Sequence, residues 1–376
     1  MNALREQLNR WIGIPEAKIG LVLRRVVFHA VFVAGVTQVK SASNALYLAH
    51  RDPAGLAYLY VALAATVVVA SFVVSRALAR RRPLWLLRVG GATAAICLVA
   101  LCGLAHFHIA DAYGVIYVVG ELYATMLSVL FWADALERFD ARVQKRIVGL
   151  LAAGGNIGAI VGGALVRPLA GSLGVASMLA LAGATLVIAL PLLGGDYRER
   201  RQRARGDPRS AGGGITTLGL LRQSYPRSIA LLVATLAVLA TVVDYHFRIA
   251  SADLPTEGAM ANLFGDLNAA VGAAGIVFQT LLTARLLSSF GVFVFLGTVP
   301  VLVGALALGE LAWPLFSLIV LLKGVEMAGS YSLYQPGLQL LYNPLAVEQR
   351  NTLRPFVDGA AKKMGVATGG VGLLLL

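Results

Sequence analysis

Long apolar segments separated by short polar loops recur along the whole chain, and they constrain its fold more than any other feature. Eleven segments are predicted: 21–49, 56–74, 84–107, two within 113–166, 176–193, 229–249, 260–286, 292–308, 314–341 and one from 356 onward. About 20 consecutive apolar residues suffice for a helix to cross the hydrocarbon core of a bilayer. The chain is 58% hydrophobic and only 14% charged, which excludes an ordinary soluble domain. We therefore predict an all-α polytopic membrane protein that contacts the lipid bilayer.

Loop charge sets the predicted orientation. Loops rich in Lys and Arg alternate with loops poor in them, and the basic loops of a membrane protein face the cytoplasm. This places the amino terminus and the linker before the seventh segment in the cytoplasm, and the protein in the inner (plasma) membrane. Arg167 and Arg248 fall on the outer side as exceptions. The net charge of +13 is thus explained by topology, and no nucleic-acid partner is expected.

The segments predict two similar halves. Residues 1–20 form an amphipathic cytoplasmic segment, 21–193 an amino-terminal half of six helices, 194–228 a basic linker, and 229–376 a carboxy-terminal half of five. The sequence ends within an apolar run, so we expect a twelfth helix, and optionally a soluble domain, beyond Leu376.

The stretch from Tyr113 to Val166 carries the most specific features. Glu121 lies inside an apolar helix, where an ionised group is costly and faces a cavity or a partner. Three glycines follow at four-residue spacing, which lets another helix approach closely: Gly154, Gly158 and Gly162. Asp134, near the end of the same apolar helix, is either a latch to the arginines after the second segment or part of a solvated helix end.

Further polar residues occur within other apolar segments. As candidates for solute binding or coupling we take Lys40, Asn44, Tyr117, Glu121, Asp244, Arg248, Asn268, Gln279, Lys323, Glu326 and Tyr334. The alternative is that these charges only lock helices together, because Asp244 with Arg248, and Lys323 with Glu326, have the spacing of pairs on one helix. Glu121 has no basic residue within helical reach, so Lys40 is its expected partner.

No catalytic or metal-binding pattern is present. Cys97 and Cys102 lie in one apolar segment and are interpreted as free, small hydrophobic residues. We expect no enzyme activity, no metal and no cofactor.

Two stretches, GELYATMLSVLFWADA and GGNIGAIVGG, resemble the nucleotide transporter (ATP/ADP translocase) family, which is related to the major facilitator superfamily. VVDYHFR and the region around Tyr334 resemble that family's seventh and tenth helices. The resemblance implies a major-facilitator fold in which helices one, four, seven and ten line a central cavity, and transport by alternating access.

Two cationic positions of the family are missing. On our alignment Ser43 and Leu338 replace lysines, whereas the carboxylates remain at Glu121 and Asp244. We therefore expect a secondary transporter for a small-molecule solute other than ATP or ADP, with a zwitterion, a less charged solute or a cation as candidates. The alternatives are a genuine nucleotide antiporter, and a non-transporting anchor or sensor for a soluble domain.

Overall fold

The computed structural model describes residues 16–109, 111–137, 141–194, 217–278, 283–330 and 356–375, with single positions between 331 and 355. Within these ranges the backbone forms helices and short connections, and no strand occurs. The main helices are α1 Glu16–His50, α2 Leu56–Arg80, α3 Pro83–His106, α4 Ala112–Glu137, α5 Ala141–Leu173, α6 Ser177–Ala189, α7 Ser224–Ala252, α8 Glu257–Val277, α9 Thr283–Ala312, α10 Phe316–Gly329 and α11 Lys362–Leu374. The tight turn Leu190–Leu193 extends α6, a short helix Thr217–Leu221 precedes α7, and a π-helical turn Phe356–Ala361 precedes α11.

Helices α1, α7 and α9 run past both of their predicted ends. Helix α1 begins at Glu16, inside the predicted amphipathic segment, and residues 1–15 lie outside the described part. The predicted boundary between the eighth and ninth helices is wrong: α8 ends at Val277, and Thr283 already belongs to α9. Hydropathy marks only the apolar part of a helix, whereas the backbone hydrogen bonds continue through polar residues until a turn ends them.

Seven of these helices (α1 to α5, α7 and α8) are long and apolar enough to cross a membrane, and Ser177–Leu193 and Leu296–Ala312 are shorter apolar helices. Large apolar side chains are exposed on them, such as Phe72 on α2 and Ile96 on α3, at 59% and 71%. In water such surfaces would be unfavourable, but in a bilayer they face lipid. The chain is a multi-pass helical membrane protein.

The helices form two compact units. The first unit comprises Met1–Arg51, Phe72–Gly195 and Ala252–Ile276, so it contains α8 together with α1 and α3 to α6. The second unit comprises Asp52–Ser71, Asp196–Ser251 and Val277–Leu376, so it contains the first part of α2 together with α7 and α9 to α11. Within the first unit α1 packs against α4, α5 and α6.

The predicted close approach at the glycines of α5 is present, and the partner is α1. A Cβ atom on Gly158 would overlap the carbonyl of Ala30, and one on Gly162 would lie 2.6 Å from the Cα of Ala34. The next residue, Gly163, faces Gly265 of α8. Because these glycines contact backbone, they serve helix packing.

The second unit repeats this arrangement. Helix α11 carries the same Gly-x-x-x-Gly-Gly spacing, at Gly365, Gly369 and Gly370. The first two glycines contact Ala234 and Thr241 of α7, and Gly370 contacts α2 through Ala57 and Tyr60. In each unit the first two glycines of the motif contact the first helix of that half, α1 or α7, and the last glycine contacts another helix, α8 or α2. This correspondence is expected of an internal repeat.

Candidate functional site

The candidate residues form one ion pair in the first unit and a larger cluster in the second. In the first unit the Nζ atom of Lys40, on α1, lies 2.9 Å from the Oε2 atom of Glu121, on α4. The structure therefore brings together the two residues that the sequence suggested as partners. Glu121 also accepts, through its backbone carbonyl, a hydrogen bond from the Thr125 hydroxyl at 2.9 Å.

Helices α1 and α4 meet along an antiparallel seam that fixes this pair. Ring contacts mark it on both sides of the pair: Phe28 stacks on Phe131 with centroids 5.8 Å apart, and Tyr47 contacts Tyr117 at the same distance. Nearer the pair, Gly120 lies against Ser43, because a Cβ there would be 3.1 Å from the Ser43 hydroxyl. The small residue allows α1 and α4 to approach where Lys40 and Glu121 must meet.

Ion pairs also stand at both ends of this seam. Arg25 pairs with Asp134 at 3.0 Å, and Arg51 pairs with Asp111 at 3.2 Å. At a rise of 1.5 Å per residue, Lys40 lies about 22 Å from Arg25 and about 16 Å from Arg51 along the helix axis. The hydrocarbon core is about 30 Å thick, so the Lys40–Glu121 pair lies deep within it.

The second unit holds a largely buried cluster of four charged residues on α7 and α10: Asp244, Arg248, Lys323 and Glu326. Asp244 forms ion pairs with Arg248, whose Nε lies 2.7 Å from Oδ2, and with Lys323, whose Nζ lies 3.0 Å from Oδ1. Lys323 also contacts Glu326 at 2.9 Å. Both pairs within one helix that the sequence allowed are therefore formed, and Lys323 joins them across two helices.

Two neutral hydroxyl groups complete the cluster. The sequence places Ser330 on the same helix face as Lys323 and Glu326, whereas sequence reasoning missed Tyr60. The Tyr60 hydroxyl, on α2, donates at 2.8 Å to Asp244 Oδ2, the oxygen that faces Arg248. The Arg248 guanidinium lies 5.8 Å from the centre of the Tyr60 ring. The Ser330 hydroxyl donates to the second oxygen of Glu326 at 2.9 Å. Tyr60 gave no signal in the sequence, because it is one of two tyrosines in an otherwise apolar segment.

The cluster is charge-balanced and largely shielded from solvent. It contains two cations and two carboxylates; the Arg248, Lys323 and Glu326 side chains are only 8–9% exposed, and that of Asp244 is 20% exposed. An unbalanced charge there would be costly, because little water can compensate it. Arg248 is 6% exposed overall and pairs within the cluster.

The other candidates lie apart from these ion pairs or form hydrogen bonds within their own helix. Asn44 and Tyr117 are buried, one turn from Lys40 and from Glu121 respectively. Asn268 donates to the Phe264 carbonyl of its own helix at 2.7 Å. The hydroxyl of Tyr334 is buried without a hydrogen-bond partner in the part of the chain that the structure describes. Gln279 lies outside the described residues.

Asp134 has a partner that the sequence analysis did not name. It is 1% exposed and pairs with Arg25 of α1, so the interpretation as a solvated helix end is wrong. Arg25 also donates to the Leu193 carbonyl at 3.4 Å, and Arg24 donates to the Gly194 carbonyl at 3.3 Å. The two arginines thereby hold the end of the turn after α6, where free carbonyls favour cations.

A cavity of about 380 Å³ lies elsewhere, on α9. It is lined by Gly297, Thr298, Val301 and Leu302, and it contains no candidate residue. Among the residues described, no group of three or more His, Cys, Asp or Glu side chains could hold a metal ion. The chemistry available in the candidate residues is therefore that of ion pairs and hydrogen bonds.

Comparison with known proteins identifies the fold but not the family. No protein-family model matches the chain, and no curated protein matches it. Among solved structures, that of the nucleoside transporter NupG matches with a TM-score of 0.68 at 13% identity, over 94% of this chain and 90% of that one. At this identity the likeness concerns the fold alone, and it confirms the predicted major-facilitator architecture. The chain has the fold of a membrane transporter of that type, whereas the resemblance to ATP/ADP translocases in particular remains a prediction.

Proposed function

We propose that this protein is a secondary transporter that carries a small polar solute without net charge by alternating access. One observation supports this most directly: the charged candidate residues occur on α1, α4, α7 and α10, and they are paired to a net charge of zero. Ionisable groups within a membrane mark solute pathways and coupling sites by default. The shared fold with a protein named as a nucleoside transporter supports the same class.

The charge balance argues against ATP and ADP. A nucleoside triphosphate requires several cations in a low-dielectric site. Each of Lys40, Arg248 and Lys323 has a carboxylate within 3.0 Å, so phosphate would first have to displace an anion. A nucleoside, such as NupG is named for, carries no phosphate and avoids this conflict. An uncharged or zwitterionic solute therefore fits better than a nucleotide, despite the resemblance to ATP/ADP translocases.

Loop charge supports an inner-membrane location with the amino terminus and the basic linker in the cytoplasm. With that orientation, solute would pass between the cytoplasm and the outer side of that membrane.

Counter-exchange in proteoliposomes tests the proposal. Vesicles containing the purified protein are loaded with unlabelled uridine or a neutral amino acid, and the same solute is supplied outside in labelled form. In a third arm the vesicles contain ADP and labelled ATP is supplied outside. We expect uptake above protein-free vesicles for an uncharged or zwitterionic solute, and none for the nucleotide pair. Robust ATP/ADP exchange would support the nucleotide antiporter instead. No exchange of any of these solutes would contradict the proposal and favour a non-transporting anchor.

A further inference from the structure

Lys40 is the most exposed of the three cations in the candidate ion pairs. Its side chain is 33% exposed and that of its partner Glu121 is 13% exposed. In the cluster on α7 and α10 the cations Arg248 and Lys323 are only 8% and 9% exposed, although Asp244 is 20% exposed. A ligand can therefore reach Lys40 more readily than it can reach either cation of the cluster.

The chemistry of an intramembrane ion pair limits which ligand can open it. A cation that binds Glu121 leaves Lys40 uncompensated, and an anion that binds Lys40 leaves Glu121 uncompensated. An uncharged solute offers only dipoles to both. A zwitterion replaces both partners at once, since its carboxylate can bind the ammonium while its own ammonium binds the carboxylate.

We propose that the Lys40–Glu121 pair is the binding site for a zwitterionic solute of the α-amino acid type. The solute's carboxylate binds Lys40 and its ammonium binds Glu121, and the two side chains pair again when the solute leaves. This inference rests on the proposed transport function and assigns it a substrate class.

The geometry of the pair suits such a ligand. The ammonium and carboxylate of an α-amino acid are attached to the same carbon atom, and the charged atoms of the protein pair are themselves only 2.9 Å apart. One turn along each helix lie the buried residues Asn44 and Tyr117, and the Tyr117 ring contacts Tyr47 at 5.8 Å. The site thus has charge at its centre, with an amide and aromatic rings beside it.

A thermal-shift series on the purified wild-type protein tests this without requiring transport. The probes are the neutral α-amino acids one at a time, then the methyl ester and the N-acetyl derivative of any that binds, and uridine. A ligand that binds only the folded state raises the melting temperature. We expect at least one amino acid to do so, and both derivatives to require at least about tenfold higher concentrations, equivalent to 1.4 kcal/mol.

Variants of the pair give a second readout. Glu121→Gln removes the carboxylate that binds the solute's ammonium. We therefore expect the amino acid to bind at least about tenfold more weakly, and the N-acetyl derivative, which has no ammonium, to bind no worse than it binds wild type. The matched control is Asp111→Asn, which removes the exposed pair at the end of the same seam and should change neither ligand.

Three results would overturn the inference: no neutral amino acid shifts the melting temperature, the derivatives shift it as strongly as the parent, or Glu121→Gln binds the amino acid unchanged. Uridine exchange without amino-acid binding would refute the zwitterion while leaving the proposed transport function intact. Amino-acid binding without exchange in vesicles would refute the proposed transport function while leaving the zwitterion site intact.

Discussion

Neutralising Asp244 should destabilise the second unit strongly, because this carboxylate holds the buried cluster together. It lies 2.7 Å from Arg248 Nε and 3.0 Å from Lys323 Nζ. At an effective dielectric constant of about 20, contacts at these distances correspond to gross attractions of about 6 and about 5.5 kcal/mol. Asp244→Asn loses both attractions and leaves the cluster with two cations, Arg248 and Lys323, and one carboxylate, Glu326.

The net effect is smaller than the gross attraction, because the amide no longer needs to be desolvated as a charge. Removing one partner of a buried pair typically costs about 3–5 kcal/mol, and we expect a loss of that size for Asp244→Asn. Adding Lys323→Met restores a balance of one cation and one carboxylate. The double variant should therefore be more stable than the sum of the single effects predicts, by about 1–3 kcal/mol.

Unfolding in mixed micelles by increasing SDS, followed by tryptophan fluorescence, measures these differences. Asp111→Asn is the control, since it breaks an ion pair whose carboxylate is 94% exposed and should change stability by no more than about 0.5 kcal/mol. If Asp244→Asn were as stable as this control, or if the double variant lost the full sum, the cluster would not be electrostatically coupled.

Two further predictions concern single contacts. Tyr60→Phe removes the hydroxyl that donates to Asp244 and should lower the free energy of unfolding by about 1.5–3 kcal/mol. The control is Tyr58→Phe, because Tyr58 is 68% exposed on the same helix and its hydroxyl should not contribute. Equal effects of the two variants would refute a role for the Tyr60 hydroxyl. Gly158→Ala forces a methyl group against the Ala30 carbonyl and should destabilise by about 1–3 kcal/mol in the same assay. Gly171→Ala on the same helix meets nothing within 4 Å and should be neutral or stabilising, so similar losses at both positions would contradict the assigned α1–α5 contact.

The α1–α4 seam shows how far sequence reasoning reached. Lys40 was the expected partner of Glu121 because no basic residue lay within reach on the same helix, and the structure pairs them at 2.9 Å. The interpretation of Asp134 as a solvated helix end is wrong, although a carboxylate near the end of an apolar helix is more often solvated. Its partner, Arg25, lies more than 100 positions earlier in the chain, and no local pattern connects them.

The second unit shows the same limit. Spacing along a helix predicted that Asp244 could meet Arg248 and that Lys323 could meet Glu326. It could not predict that Lys323 would join the two pairs, or that Tyr60 would contribute a hydroxyl from α2, because those contacts depend on which helix faces which.

By itself, the sequence determined that the chain crosses a membrane as helices and which of them carry charge, because hydrophobic length and the cost of intramembrane ions are properties of each segment alone. It also determined that α5 would be approached closely, because glycine at every fourth position leaves one face without side chains. Three features follow from helix packing alone: α1 and α8 contact that face, the charges of α7 and α10 form one balanced cluster, and the Lys40 side chain stays partly exposed. Those outcomes depend on contacts between residues far apart in the chain, where helix packing selects one set of partners among many of equal chemical type.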